Sequence, residues 1–225
     1  MASDPREIAA TAIALAKPKL RGWLHAITSP LALASAVVLI VLAPSWQATV
    51  AALAFGASAV AVFTTSAVYH RGNWSVRAER WLKRADHANI FVLIAGTYTP
   101  FAVLALSGTT RVVVLVAVWS VAVLGVAFRL LWVDAPRWLY LVVYLGLGWA
   151  ASAVVPQLLH GAGVAAFVLL VVGGALYTTG GVVYGIRRPN PSPQWFGFHE
   201  VFHALTVAAF VCQYVAASLV VYRSA

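Results

Sequence analysis

The sequence predicts an all-α polytopic membrane protein, a bundle of seven transmembrane helices. Of its 225 residues, 62% are hydrophobic and 9% are charged, whereas about 25% of the residues of soluble domains are charged. Seven apolar stretches approach or exceed the roughly 20 residues that a membrane-spanning helix needs. The alternating pattern of a transmembrane barrel is missing from the sequence. Helices therefore have to satisfy the backbone in lipid.

The seven predicted spans follow one another with short connections. The first and the fifth are short. Because the connections leave almost no chain for a soluble domain, residues 1–225 are expected to form one transmembrane domain. The predicted spans are Leu24–Leu42, Trp46–Tyr69, Ala88–Leu106, Val112–Leu131, Trp138–Val155, Gly163–Gly185 and Phe198–Val221.

Residues 1–22 precede the first span and form a cytoplasmic or interfacial segment. The stretch "IAATAIALA" is apolar and ends in a small-residue triplet, but no basic region precedes it and Asp4 and Glu7 flank it. These features do not match a secretory signal peptide. We expect instead an interfacial helix from Arg6 to Lys19 on the membrane surface.

The net charge of +9 is distributed unevenly between the two sides of the predicted bundle. Only Arg111 and Arg223 lie on one side, and Arg129 lies near the other end of the fourth span. The remaining twelve basic residues share the side of the N-terminus: Arg6, Lys17, Lys19, Arg21, Arg71, Arg77, Arg80, Lys83, Arg84, Arg137, Arg187 and Arg188. The positive-inside rule then places the N-terminus in the cytoplasm and the C-terminus outside. The charge indicates orientation in the inner (plasma) membrane and contact with membrane lipids, and no nucleic-acid partner is expected.

The last span begins with "HEVFH", residues His199 to His203, which fits the zinc-site pattern H-E-x-x-H. On a helix, residues four apart share a face, so His199 and His203 can bind one ion. The alternative is a pair of interfacial histidines at a helix end. An intramembrane metalloprotease is a poor fit, because the chain ends 22 residues after His203 without a further aspartate-bearing helix.

Other ionisable residues are expected at the same membrane level as this pair. His70 ends the second span, and Asp86 and His87 open the third. Such groups are costly in a membrane and are functional candidates by default. As a third ligand, His70 completes three nitrogens and leaves a fourth position for water, as in catalytic zinc sites. The alternative for His70 is a polar tip packed at a helix end.

Asp86 has two interpretations, which are compatible with each other. It can hold a metal-bound water and accept its proton, or it can cap the third helix as an N-terminal acid. Glu200 points away from its two histidines on the helical wheel and is the poorer candidate for a base.

The remaining candidates have weaker assignments. Ser66 lies one helical turn before His70, although the third group and the oxyanion hole of a serine hydrolase are not apparent. His87 is expected near the site or at the interface, His25 is expected to line the same cavity, and His160 is expected to be inert in an external loop.

The stretches "SAVYHRGNW", "RADHANIFVLIAGTYTPF" and "FGFHEVFHAL" resemble the hemolysin III family. This is the bacterial branch of the progestin and adipoQ receptor (PAQR) superfamily, and the resemblance covers essentially the whole chain. It implies a seven-helix bundle with an inward N-terminus and an intramembrane zinc near the cytoplasmic face. The implied ligands are His70, His199 and His203, with Asp86 on the bound water and Ser66 beside it.

Three functions are compatible with these features. The first is a zinc-dependent lipid hydrolase acting on an amide or ester bond, with ceramidase-like chemistry and a role in membrane lipid homeostasis implied by the superfamily. Ser66 or Tyr98 would assist the zinc at the acyl oxygen. The second is a non-enzymatic sensor or regulator of membrane state with a structural zinc. The third, a pore-forming hemolysin, is disfavoured because the sequence has no ring of repeated charges and no filter-like segment.

Three further features are expected to serve packing or access. The motif "GVVYG" at Gly181–Gly185 fits a close helix contact, and Pro100 is expected to kink the third span. The longest irregular loop, "RRPNPSPQWFG", can gate access to the proposed site.

Overall fold

The computed structural model of the protein describes residues 17–224 as an all-helical bundle. Within them, seven helices are long and apolar enough to cross a membrane, so the predicted fold class is confirmed. The α-helices of these residues are α1 Trp23–Val41, α2 Trp46–Arg71, α3 Val76–Ala105, α4 Gly108–Leu131, α5 Arg137–Trp149, α6 Val155–Ala162, α7 Val164–Ile186 and α8 Phe198–Tyr222, and α5 and α6 together make the fifth span. The expected helix from Arg6 to Lys19 lies largely outside the described residues, whose first six, 17–22, are coil and turn.

Helix α3 begins well before the predicted start of the third span. Its N-cap is Ser75, whose hydroxyl accepts a hydrogen bond from the amide of Ala78 at 3.4 Å. Asp86 therefore lies in the body of the helix, and its interpretation as a helix cap is wrong. The prediction failed because hydropathy marks the lipid-compatible length, whereas a helix extends to the residue that caps it.

The fifth span is longer than predicted and is interrupted. Helix α5 passes into a 3₁₀ turn at Ala150–Val154, and α6 continues the span to Ala162. Pro156, in the first turn of α6, has no amide hydrogen for an α-helical bond to the preceding turn. The hydroxyl of Tyr98 accepts a hydrogen bond from the amide of Ala151 at 2.7 Å and donates to the carbonyl of Leu147 at 2.9 Å. A neighbouring side chain thus satisfies the backbone at the break, as lipid requires.

This interruption also corrects the placement of His160. The sequence suggested an external loop, but His160 lies on α6 with its side chain exposed. The prediction failed because the predicted span ended at Val155, whereas α6 begins at this residue and continues to Ala162.

Small residues allow the helices that carry the candidate site to approach closely. A Cβ atom at Gly96 of α3 would lie 2.1 Å from Oγ of Ser58 on α2. Similarly, Gly173 and Gly180 of α7 lie against side chains of α8, whereas Gly181 and Gly185 of the G-x-x-x-G motif face Leu141 of α5. Helix α3 continues through Pro100 to Ala105, and the expected kink stays a prediction.

Candidate metal centre

Three imidazoles from two helices meet near one end of the bundle. His70 lies in the last turn of α2, and His199 and His203 lie one turn apart at the start of α8. One ring nitrogen of each lies within 4.8 Å of the other two, and the Nε2 atoms of His70 and His199 are 3.2 Å apart. Two ligands of a tetrahedral zinc, each bonded at about 2.0–2.1 Å, are separated by roughly 3.3 Å. The donor type and the spacing therefore fit a metal ion.

Contacts of α2 with α1 and α3 hold His70 in this position. Gly22, the N-cap of α1, has φ +79°, and a Cβ atom there would lie 2.7 Å from Cβ of His70. Only glycine combines this left-handed backbone with the close approach. On α3, the side-chain amide of Asn89 donates to Oγ1 of Thr65 at 2.9 Å and to the carbonyl of Ala61 at 3.2 Å. These bonds fix the register of α2 against α3.

That register brings Asp86 and Ser66 beside the histidines. Oδ2 of Asp86 lies 3.9 Å from Nε2 of His70, which is too far for a hydrogen bond. Ser66 is buried one turn before His70 and lines the same cavity as Asp86. The structure thus brings together all five residues that the sequence singled out, while their chemical roles stay predictions.

His25 of α1 is a fourth imidazole in this cluster. Its ring stacks on the ring of His203, with centroids 3.7 Å apart and 3° between the planes, and Phe63 meets it edge-on at 5.0 Å. His25 is 3% exposed, and neither ring nitrogen has a hydrogen-bond partner among residues 17–224. Its predicted position in the cavity wall is confirmed.

Glu200, the acid of the H-E-x-x-H pattern, is engaged in structural contacts. Its Oε2 accepts a hydrogen bond from the amide of Gly197 at 2.8 Å, which caps α8. Its Oε1 pairs with Nε of Arg21 in the segment before α1. The amides of Lys19 and Leu20 in that segment also donate to carbonyls of the loop before α8. Glu200 therefore joins the start of α8 to the N-terminal segment.

A buried arginine next to the site was not identified as a candidate residue from the sequence. Arg129 of α4 has no exposed surface, and its guanidinium donates hydrogen bonds to Nδ1 of His87 and to the carbonyl of Val133. Its charge lies 4.5 Å from the ring centroid of Tyr140. The sequence signal was available, since a basic residue inside an apolar span is itself a candidate for a structural or functional role. His87 thus contacts Arg129 and lines the cavity, in agreement with its expected place near the site.

A narrow cavity of about 260 Å³ begins at the histidines. Along α3, its wall includes residues from Asp86 to Leu106, a helical rise of roughly 30 Å. Ionisable side chains line one end, namely His25, Asp86, His87, His199 and His203, and the walls beyond them are mostly apolar. The cavity has the shape and polarity of a site for a long hydrocarbon chain with one polar end.

Tyr98 lines this cavity far from the histidines. It lies twelve residues after Asp86 on α3, a rise of roughly 18 Å. Its hydroxyl is engaged at the break between α5 and α6, as described above. The expectation that Tyr98 assists at the acyl oxygen is therefore wrong.

A family model described as "Haemolysin-III related" matches residues 13–214 of the chain. The chain belongs to the haemolysin-III-related family. A protein of Bacillus subtilis (strain 168) described as "Hemolysin-3 homolog" is 35% identical to it over 195 residues, which cover 84% of this chain and 88% of that protein. The "Hemolysin-3" of Bacillus cereus is 28% identical over 163 residues, 71% of this chain and 74% of that protein.

The match to haemolysin III confirms the resemblance drawn from the three motifs. It includes every residue of the histidine cluster, together with Ser66 and Asp86. With its seven apolar helices, this haemolysin-III-related chain is a multi-pass membrane protein with a buried histidine cluster that can hold a metal ion.

Proposed function

We propose that this protein is a zinc-dependent hydrolase that cleaves an ester or amide bond of an acylated membrane lipid, ceramide-like lipids included. The observation that carries the proposal is a cluster of three histidines, of which His199 and His203 line the polar end of a narrow apolar cavity together with Asp86. Three nitrogen ligands leave a fourth position on a tetrahedral zinc, as in catalytic sites, whereas structural sites use four protein ligands.

Each residue of the site has a separate role in the proposed hydrolysis. His70, His199 and His203 would hold the zinc ion, which would supply a Lewis acid for the acyl carbonyl and the attacking water. Asp86 accepts a proton from the attacking water and delivers it to the leaving group, a role typically worth about 10²–10⁴-fold in rate. Ser66 donates a hydrogen bond to the acyl oxygen. The apolar walls hold the acyl chain and keep bulk water out.

The identity of the metal and the side of the membrane are part of the proposal. Imidazole ligands also suit copper, iron and nickel, but three neutral nitrogens with an open fourth position are typical of catalytic zinc. The uneven distribution of basic residues favours a cytoplasmic site in the inner membrane. An alkaline phosphatase domain fused after Ala225 should be active, because this enzyme folds only outside the cytoplasm.

The hydrolase proposal is tested with purified protein that carries a full complement of zinc. The wild type should release fatty acid from at least one member of a panel of ceramides, phospholipids and acylglycerols. Asp86→Asn should keep the fold and most of the zinc and lose activity by about 10²-fold or more, since the amide cannot accept the proton. His160→Asn is the matched control and should behave as the wild type does.

Two outcomes would contradict this proposal. No release of fatty acid from any lipid by zinc-loaded wild type would favour the alternative, a non-enzymatic sensor of membrane state in which zinc has a structural role. Undiminished activity of Asp86→Asn would remove the carboxylate from the mechanism.

A further inference from the structure

His25 lies in the histidine cluster but cannot join the other three as a ligand in this geometry. A metal ion bound by an imidazole lies close to the plane of that ring, about 2.0–2.1 Å from the nitrogen. The rings of His25 and His203 are parallel within 3°, and their centroids are 3.7 Å apart. An ion in the plane of His203 is therefore well outside the plane of His25. The group of nitrogens that fits an ion accordingly consists of His70, His199 and His203.

Because His25 is buried, its ring nitrogens nevertheless need a polar partner. The side chain is 3% exposed, and both ring nitrogens have no hydrogen-bond partner among residues 17–224. A buried polar group without a partner is destabilising because it has lost its hydrogen bonds to water. A phenylalanine would stack on His203 equally well without this cost. The partner must therefore come from what His25 faces, and His25 lines the same cavity as Ser66 and His203.

We propose that His25 binds the polar head of the lipid that enters the cavity. One ring N–H donates a hydrogen bond to a head-group oxygen, the carbonyl of an acyl lipid or the carboxylate of the released fatty acid. The stack on His203 and the edge contact with Phe63 hold the ring in place for this bond. This inference rests on the proposed function, because it takes an acylated lipid as the occupant of the cavity.

The first measurement compares the unfolding temperatures of the wild type, His25→Phe and His160→Phe, each purified without lipid. Phenylalanine keeps the stack and removes both unpartnered nitrogens, so His25→Phe should unfold at or above the temperature of the wild type. His160 is exposed on α6, which makes His160→Phe a matched control for the chemical change. The zinc content of all three proteins should be equal.

The second measurement uses cis-parinaric acid, a naturally fluorescent fatty acid, as the probe. Its affinity for His25→Phe should be about 10-fold weaker than for the wild type, the effect of one hydrogen bond to a charged oxygen. The same polyene with a terminal methyl group in place of the carboxyl group should bind both proteins equally. His160→Phe should bind both probes as the wild type does.

Equal affinity of parinaric acid for wild type and His25→Phe would overturn the inference. Unfolding of lipid-free His25→Phe several degrees below the wild type would also overturn it, because the nitrogens would then have protein partners already. A wild type that does not bind the probe at all would overturn this inference together with the lipid proposal. A wild type that binds the probe through His25 but hydrolyses no lipid would overturn the hydrolase proposal alone.

Discussion

The helices that carry the candidate site differ in burial from the helices at the periphery of the bundle. In the most apolar stretch of 18 residues in each helix, 50% of the residues of α2 and of α3 are buried, and 44% of those of α8. The corresponding share is 17% for α4 and for the interrupted span Arg137–Ala162. All three metal-ligand candidates and both Ser66 and Asp86 belong to the buried helices.

Because of this difference, we expect the two groups of helices to contribute different properties to the cavity. Metal ligands must be held within a fraction of an ångström, and well-packed helices provide that precision. The α5–α6 span is much less buried and contains a 3₁₀ turn at Ala150–Val154. Tyr140 and Tyr144 at its start contact His87, and the remainder of the span forms part of the cavity wall farther along. Changes in the buried helices should therefore affect metal binding and stability, and changes in the α5–α6 span beyond Tyr144 should affect only the choice of lipid chain.

The largest expected effect is loss of the metal from the buried helices. His70→Ala, His199→Ala and His203→Ala should each lose most of the bound zinc, because two neutral nitrogens hold zinc poorly. Asp86→Asn changes a group outside the ligand set and should weaken zinc binding by no more than about 10–100-fold. Elemental analysis of the purified variants measures both effects.

His160→Ala is the control for this series, because it removes an exposed imidazole from the peripheral span. It should retain as much zinc as the wild type. A full complement of zinc in His70→Ala would show that α2 contributes no ligand, and the division between buried and peripheral helices would lose its basis.

Sequence reasoning predicted the seven spans well because hydropathy and length are local properties of the chain. It missed the first twelve residues of α3 and the continuation of the fifth span through Pro156, since neither depends on hydropathy. The start of α3 depends on the cap at Ser75. The break is tolerated because Tyr98, about fifty residues away in sequence, bonds to the backbone on both sides of its start.

The same limit applies to the candidate site. The spacing of His199 and His203 is a local pattern, and the rarity of ionisable residues in the apolar spans pointed to His70 and Asp86. The stack of His25 on His203 and the pair of Arg129 with His87 arise from contacts between helices distant in sequence. No periodicity along the chain specifies such contacts.

An intermediate effect is expected from substitutions of Glu200. These substitutions distinguish a stabilising role of this residue from a catalytic one. Glu200→Ala removes the cap of α8 and the partner of Arg21, so the free energy of unfolding should fall by about 1–3 kcal/mol. Glu200→Gln keeps an acceptor for the amide of Gly197 and should lose less. Chemical denaturation in detergent gives these values, and hydrolysis per mole of zinc-loaded, folded protein should remain near the wild-type rate. A Glu200→Gln protein that is stable and zinc-loaded but inactive would instead make Glu200 the base.

The smallest expected effect concerns the peripheral wall of the cavity, where two glycines of α5 form a matched pair. Gly148 lines the cavity and Gly146 does not, and a Cβ atom at either position would meet nothing within 4 Å. Gly148→Leu should shorten the space for the chain and lower hydrolysis of an 18-carbon acyl lipid by about 10-fold relative to an 8-carbon one. Gly146→Leu should leave this ratio unchanged, and both variants should keep their zinc. The ratio of kcat/KM for the two chain lengths measures the effect.

Equal ratios in both variants would mean that the acyl chain does not occupy this part of the cavity. A loss of zinc in Gly148→Leu would mean that the peripheral span is coupled to the metal centre.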